Sequence, residues 1–174
     1  PIFLDLPDAD IIYYPQFFDK QAADIIFASL AQEIPWQQDE IRVYGKIHPQ
    51  PRLTALFGNE GKSYSYSNIT MQPHPWSLLL QKLKTAIEKV TDTNFITVLL
   101  NQYRDGKDSN GWHSDNENEL GINPVIASLS FGNHLEISGW AVSGIVGTLT
   151  EKPATSSSSL VAGYQQYSGW PSQQ

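Results

Sequence analysis

Two apolar runs on either side of a long polar loop constrain this chain more than any other feature. Residues 95–100 (FITVLL) and 125–131 (VIASLSF) are largely apolar. Both read as strands covered on both faces. The loop between them delivers His113-Ser114-Asp115. Side chains alternate along an extended backbone, so His113 and Asp115 point to the same side. An imidazole and a carboxylate aimed at one point can grip a divalent metal. With one more histidine they form the facial triad of non-heme Fe(II) oxygenases, which leaves positions free for substrate and oxygen. On spacing alone, the pair fits a solvated loop equally well.

The remaining segments surround that loop. Residues 1–15 read as an extended lead-in. Asp19 can cap a helix whose apolar stripe is Ala22, Ala23, Ile26, Phe27, Leu30 and Ile34, ending near Pro35. Residues 41–44 read as a strand, Gly45-Lys46 as a turn, and 52–57 as a second strand, with a further turn at 58–61. Tyr64-Ser65-Tyr66 puts two aromatics on one strand face, where they can also simply fill a half-buried sheet. Pro75 suits the first turn of a second helix. Its stripe is Leu79, Leu80, Leu83, Ile87 and Val90, with Lys82, Lys84 and Lys89 on the wet face. Short strands are expected at 141–149 and 160–164. Two early helices and several non-alternating strands predict an α+β fold with its sheet closed into a sandwich or barrel.

Charge and composition exclude some classes of function. A net charge of −7 argues against diffuse nucleic-acid binding. Between residues 42 and 62, however, four basic side chains (Arg42, Lys46, Arg52, Lys62) face one acid, Glu60. That local excess fits either a phosphate-binding face or a solvated hairpin. The chain has no cysteine, which excludes disulfides and thiolate metal sites and fits a reducing compartment. No apolar run approaches the roughly 20 residues of a membrane span, and PIFLDLPDAD lacks the basic start of a signal peptide. An intracellular monomer without membrane contact is the expectation.

Four motifs together resemble the AlkB family of Fe(II)/2-oxoglutarate dioxygenases, which demethylate alkylated nucleobases. They are PRLTALFG at 51–58, YSYS at 64–67, NQYRDGKDSNGWHSDNE at 101–117 and PVIASLSFG at 124–132. The likeness is greatest to the branch acting on double-stranded DNA. It implies one domain over 1–174, with 1–95 as an N-terminal extension and nucleotide-recognition lid and 96–174 as the core. That core would be a double-stranded β-helix (jelly-roll-like), with the N-terminal helices packed on the sheet and a recognition hairpin region.

The resemblance also implies roles for individual residues. His113 and Asp115 match iron ligands, and Asn101 and Tyr103 the N-x-Y pair that hydrogen-bonds 2-oxoglutarate. Tyr64 and Tyr66 match aromatics around the flipped base, where stacking offsets what the base loses on leaving the duplex. Glu117 matches an acid near the base edge, and Tyr44 an aromatic wedge that helps evict the base. Lys46 and Arg52 match phosphate contacts. The implied reaction hydroxylates an N-methyl group of a 1-methyladenine or 3-methylcytosine type of base in alkylated, duplex DNA, and the group leaves as formaldehyde.

Residues 133–174 depart from the family's pattern, which expects a third iron-binding histidine and carboxylate-binding arginines there. The single histidine after Asp115 is His134, and no arginine follows Arg104. Three explanations stay open: a truncated or frame-disrupted product, a misassigned tail, or a genuine tail in which His134 completes the site. Two further readings of function follow. One is a non-catalytic AlkB-like nucleic-acid binder; the other is an oxygenase acting on RNA or protein.

Overall fold

A computed structural model of the chain describes residues 1–6, 9–43, 45–60, 64–66, 69–110, 125–132, 141–146 and 158–163. Helix α1 spans Lys20–Glu33, and the Asp19 carboxylate accepts from the Ala22 amide at 2.8 Å, as the capping pattern predicts. It stops because Ile34 precedes a proline and turns extended. Helix α2 spans Leu78–Thr91. Its start differs from the expectation. Pro75 lies three residues upstream, and the Ser77 hydroxyl caps the helix by accepting from Leu80 N. The stripe is narrower at its end, since Val90 is exposed. Lys84, expected on a purely solvated face, instead bonds Glu88 at 2.7 Å and lies over the Trp76 ring.

The strands are β1 (Ile2–Leu6), β2 (Ala9–Pro15), β3 (Glu40–Val43), β4 (Lys46–Pro49), β5 (Leu53–Gly58), β6 (Tyr64–Tyr66), β7 (Ile69–Met71), β8 (Thr97–Tyr103), β9 (Ile126–Gly132), β10 (Ala141–Val146) and β11 (Ser158–Gly163). Seven of them form one sheet in the order β1-β2-β11-β9-β10-β8-β5, while β3-β4 and β6-β7 are separate hairpins. The lead-in at residues 1–15 is thus a two-stranded edge, β1 antiparallel to β2. Strand β11 runs parallel to both β2 and β9; the other pairings in this sheet are antiparallel. The α+β expectation therefore holds. Among the described residues the main β-structure is this single sheet, and a second sheet facing it, as in a jelly roll, is not part of it.

Strands β8 and β9 both pair antiparallel with β10, so they run parallel to each other. A hairpin cannot join parallel strands. Residues 104–125 are therefore a crossover that leaves the end of β8 and returns to the start of β9.

The core lies between the helices and one sheet face. Ala55 and Phe57 of β5, Val98 and Leu100 of β8, and Ala127, Leu129 and Phe131 of β9 pack with Leu30, Leu83 and Ile87 of the helices. A cavity of about 30 Å³ remains among Leu30, Leu80, Leu83, Val98, Leu129 and Phe131. The burial of β8 on both faces matches its unbroken apolar run. β9 departs from that reading, because its burial alternates along the strand. Gly58, expected in a turn, closes β5 against β8. A Cβ there would sit 2.8 Å from Thr97 Cγ2 and 2.9 Å from the Ile96 carbonyl, which leaves room for glycine alone. No helix among the described residues is long and apolar enough to cross a membrane.

Candidate functional site

With Val98 and Leu100 in the core, alternation sends Asn101 and Tyr103 to the opposite face of β8. Register extends that face to its neighbours. Thr54 is paired with Asn101, and Ser143 of β10 is paired with both Asn101 and Ser130 of β9. Asn101 is 1% exposed, yet among the described residues its Oδ1 and Nδ2 have no hydrogen-bond partner. A buried amide normally finds partners, and an orphan of this kind marks a place for a ligand or water. Its Nδ2 donor suits a small acid bearing carboxylate and carbonyl oxygens, as 2-oxoglutarate does, while Oδ1 calls for a donor such as water. Tyr103 is half-buried beside it in the same N-x-Y unit.

Two further residues of this region are assigned no role by the sequence motifs. Ser130, half-buried, stands level with Asn101 across one strand. Its signal was the serine at every second position of IASLSFG, a polar period of two inside an apolar run. Asp39 is the second. Its carboxylate accepts from the buried Thr54 hydroxyl, and the neighbouring Gln37 exchanges backbone bonds with Thr54 at 3.0 and 2.8 Å. These bonds fix residues 37–39 on β5 just before the β3–β4 hairpin. No local pattern announces that tie.

Beyond Tyr103 the chain folds into a compact turn. The Arg104 guanidinium donates to both Asp108 oxygens, Nε to Oδ2 at 2.7 Å and Nη2 to Oδ1 at 2.9 Å, and the Arg104 amide adds a third bond at 2.9 Å. Asp105 Oδ1 accepts from the Lys107 amide at 2.8 Å and more weakly from the Asp108 amide. Hydrogen bonds from the Arg104 guanidinium hold the Asp108 carboxyl below the usual carboxylate range, against a smaller opposing effect of burial. The same pairing raises Arg104.

A carboxyl depressed on folding stabilises the fold fully above its unfolded value and loses that contribution as pH falls through its folded value. The Arg104 amide should therefore keep its hydrogen-exchange protection at neutral pH and lose it once acid protonates Asp108. In Asp108→Ala the protection should already be lost at pH 7, by roughly tenfold or more for a charge-assisted bond. Equal protection in the variant would refute this reading of the turn.

The expected site residues fall into three groups. Asn101 and Tyr103 stand where their spacing predicts. Lys46 is exposed at the start of β4, and Tyr64 and Tyr66 lie two apart on β6, paired with Met71 and Ile69 of β7. Arg52 differs from the expected phosphate contact. It is 5% exposed, with Nη1 donating to Asn110 Oδ1 at 2.9 Å and to the Ser109 carbonyl at 3.5 Å. Tyr44, His113, Asp115 and Glu117 lie outside the described residues, as does His134. Among the described residues no three His, Asp or Glu side chains gather into a metal site.

The family model of the 2OG-Fe(II) oxygenase superfamily matches residues 10–160, past the Gly132 limit of the motif resemblance. The chain is 48% identical over 123 residues to alpha-ketoglutarate-dependent dioxygenase alkB homolog 3 of Mus musculus, covering 70% of this chain and 42% of that protein. It is 38% identical over 122 residues to the DNA oxidative demethylase ALKBH2 of Homo sapiens, covering 68% and 47%. To ALKBH2 of Arabidopsis thaliana it is 35% identical over 128 residues, covering 71% and 41%. The chain thus spans less than half the length of these curated relatives.

Proposed function

This chain belongs to the AlkB family of 2OG-Fe(II) oxygenases, and from that premise we propose that it removes alkyl groups oxidatively from nucleobases, with methylated duplex DNA as its substrate. The family's Fe(II) and 2-oxoglutarate supply the oxidation when bound, and the protein's part is to position groups and exclude water. Asn101 and Tyr103 orient the co-substrate. The reading rests above all on Asn101, a buried amide with neither polar atom partnered among the described residues, on the sheet face opposite the helices.

Other residues take roles by their match to the family motifs. His113 and Asp115 are the proposed iron ligands. Tyr64 and Tyr66 sandwich the extruded base, whose positive charge when N-methylated strengthens attraction to their ring faces. Glu117 meets the base edge, Tyr44 wedges into the duplex, and Lys46 holds a phosphate. Arg52, being buried, is removed from that last role. The protein is proposed to act as a monomer inside the cell.

The test is a direct assay. Incubation with Fe(II), 2-oxoglutarate, ascorbate and a 1-methyladenine oligonucleotide should release formaldehyde, more from duplex than from single strands, and His113→Ala should abolish the release. Absence of formaldehyde from a chain of verified mass would remove the proposed activity.

A second reading is favoured by one sequence fact. Residues 133–174 contain no arginine and a single histidine, His134, where the family pattern expects an iron ligand and carboxylate-binding arginines. A non-catalytic binder of methylated nucleic acid would keep its affinity in the presence of chelator, and loss of binding on chelation would exclude it.

A further inference from the structure

We propose that Arg52 is a positioning residue, one that anchors the foot of the loop carrying His113 and Asp115. This rests on the reading of those two residues as iron ligands. A phosphate contact must be reachable from solvent, and Arg52 is nine-tenths buried. Its Nη1 is already engaged by Asn110 Oδ1 and, more weakly, by the Ser109 carbonyl. Next to it, the Ser109 amide donates to the Pro51 carbonyl at 2.8 Å. Residues 51–52 thus hold residues 109–110 through one backbone and one side-chain tie. The Arg104–Asp108 pairing compacts the turn between β8 and that anchor.

Asn110 is the last described residue before the metal-binding motif, three positions ahead of His113. Three residues reach at most about 10 Å, so a displaced foot carries directly to the ligand. Displacement of about 1 Å is enough to degrade a reacting constellation.

The choice of arginine supports the same role. Among the described residues the guanidinium is buried against neutral acceptors, and it keeps a desolvation penalty that an apolar residue of similar size would avoid. Both bonds leave from Nη1, whose direction the planar guanidinium fixes, and the freely rotating ammonium of lysine has no such fixed direction.

The experiment compares the full wild-type chain with Arg52→Lys, Arg52→Ala, Asn110→Ala and the Arg52→Ala/Asn110→Ala double variant. Hydrogen exchange of the peptide over residues 105–112 should quicken by about tenfold in each single variant, the effect of one lost hydrogen bond. The double variant should be no faster than the singles, because both break the same tie. Exchange in α2 should not change. Titration with Co(II), followed by its visible absorption, should show metal affinity falling about 10–100-fold, the usual effect of losing a group that orients a ligand. Arg52→Lys should not restore it.

Two results would overturn the proposal. One is unchanged exchange and Co(II) affinity with a salt dependence of DNA binding that is lower by about one unit, the mark of a lost phosphate contact. The other is a wild-type chain that takes up no Co(II), which ends the iron-ligand reading beneath it. If the Arg52 variants do not fold, Asn110→Ala decides alone. A chain that binds Co(II) as described yet releases no formaldehyde would overturn the proposed activity and leave the positioning role standing.

Discussion

Asn101→Leu should leave the fold as stable as before, or up to about 2 kcal/mol more stable, while weakening 2-oxoglutarate binding by between about tenfold and a hundredfold. The two effects oppose each other because of where Asn101 sits. It is paired on one side with Thr54 of β5 and on the other with Ser143 of β10, and both amide atoms are buried without partners among the described residues. An unsatisfied buried amide costs about 1–3 kcal/mol, a penalty that leucine, of the same branched shape though larger, does not carry. That penalty is offset only when a ligand arrives. Urea midpoints measure the stability change, and the rise in Tm on adding 2-oxoglutarate with Mn(II) measures binding. A variant that is markedly less stable, or one still stabilised by 2-oxoglutarate, would show that the amide serves packing and not the ligand.

Phe95→Ala carries the largest expected loss of stability, about 3–5 kcal/mol. Phe95 is 0% exposed and leads directly into β8, and its amide donates to Glu88 Oε1 of α2 at 2.8 Å. The ring thus sits at the joint between the second helix and β8. The backbone bond survives the substitution, so the loss reports cavity formation and lost burial. Domains of this size are stable by about 5–15 kcal/mol, so the loss takes roughly a fifth of that margin at the least. A shift of the urea midpoint corresponding to under 1 kcal/mol would mean that neighbours close the gap and that this joint is less tightly packed than its burial indicates.

What could be read in the sequence was what depends on neighbours in the chain. Asp19 capping α1, the stop before Pro35 and the buried run feeding Asn101 and Tyr103 are decided within a few residues. Pro75 misled because two local signals compete there, and the Ser77 hydroxyl, which satisfies an open helix amide, sets the boundary. Pairings between distant segments left no local trace. Strand β11 lies parallel between β2 and β9, and Asp39 receives the Thr54 hydroxyl from another strand. Arg52 is the clearest case. A basic residue in a basic segment reads as exposed, and only the return of Asn110 to its side encloses it. His113 and Asp115 were legible as a motif for the same local reason that their spacing was, and their geometry lies outside the described residues.

The crossover between β8 and β9 has a consequence for how such a protein can change over generations. Its two attachment points lie at opposite ends of parallel strands, roughly 20 Å apart for strands of this length, and neither depends on how much chain hangs between them. Lengthening a flexible connection twofold costs only about 0.6 kcal/mol. Where two strands are held by a shared neighbour, the length of chain joining their ends enters folding only weakly, so selection can change that length while the pairing of β8, β10 and β9 stays the same.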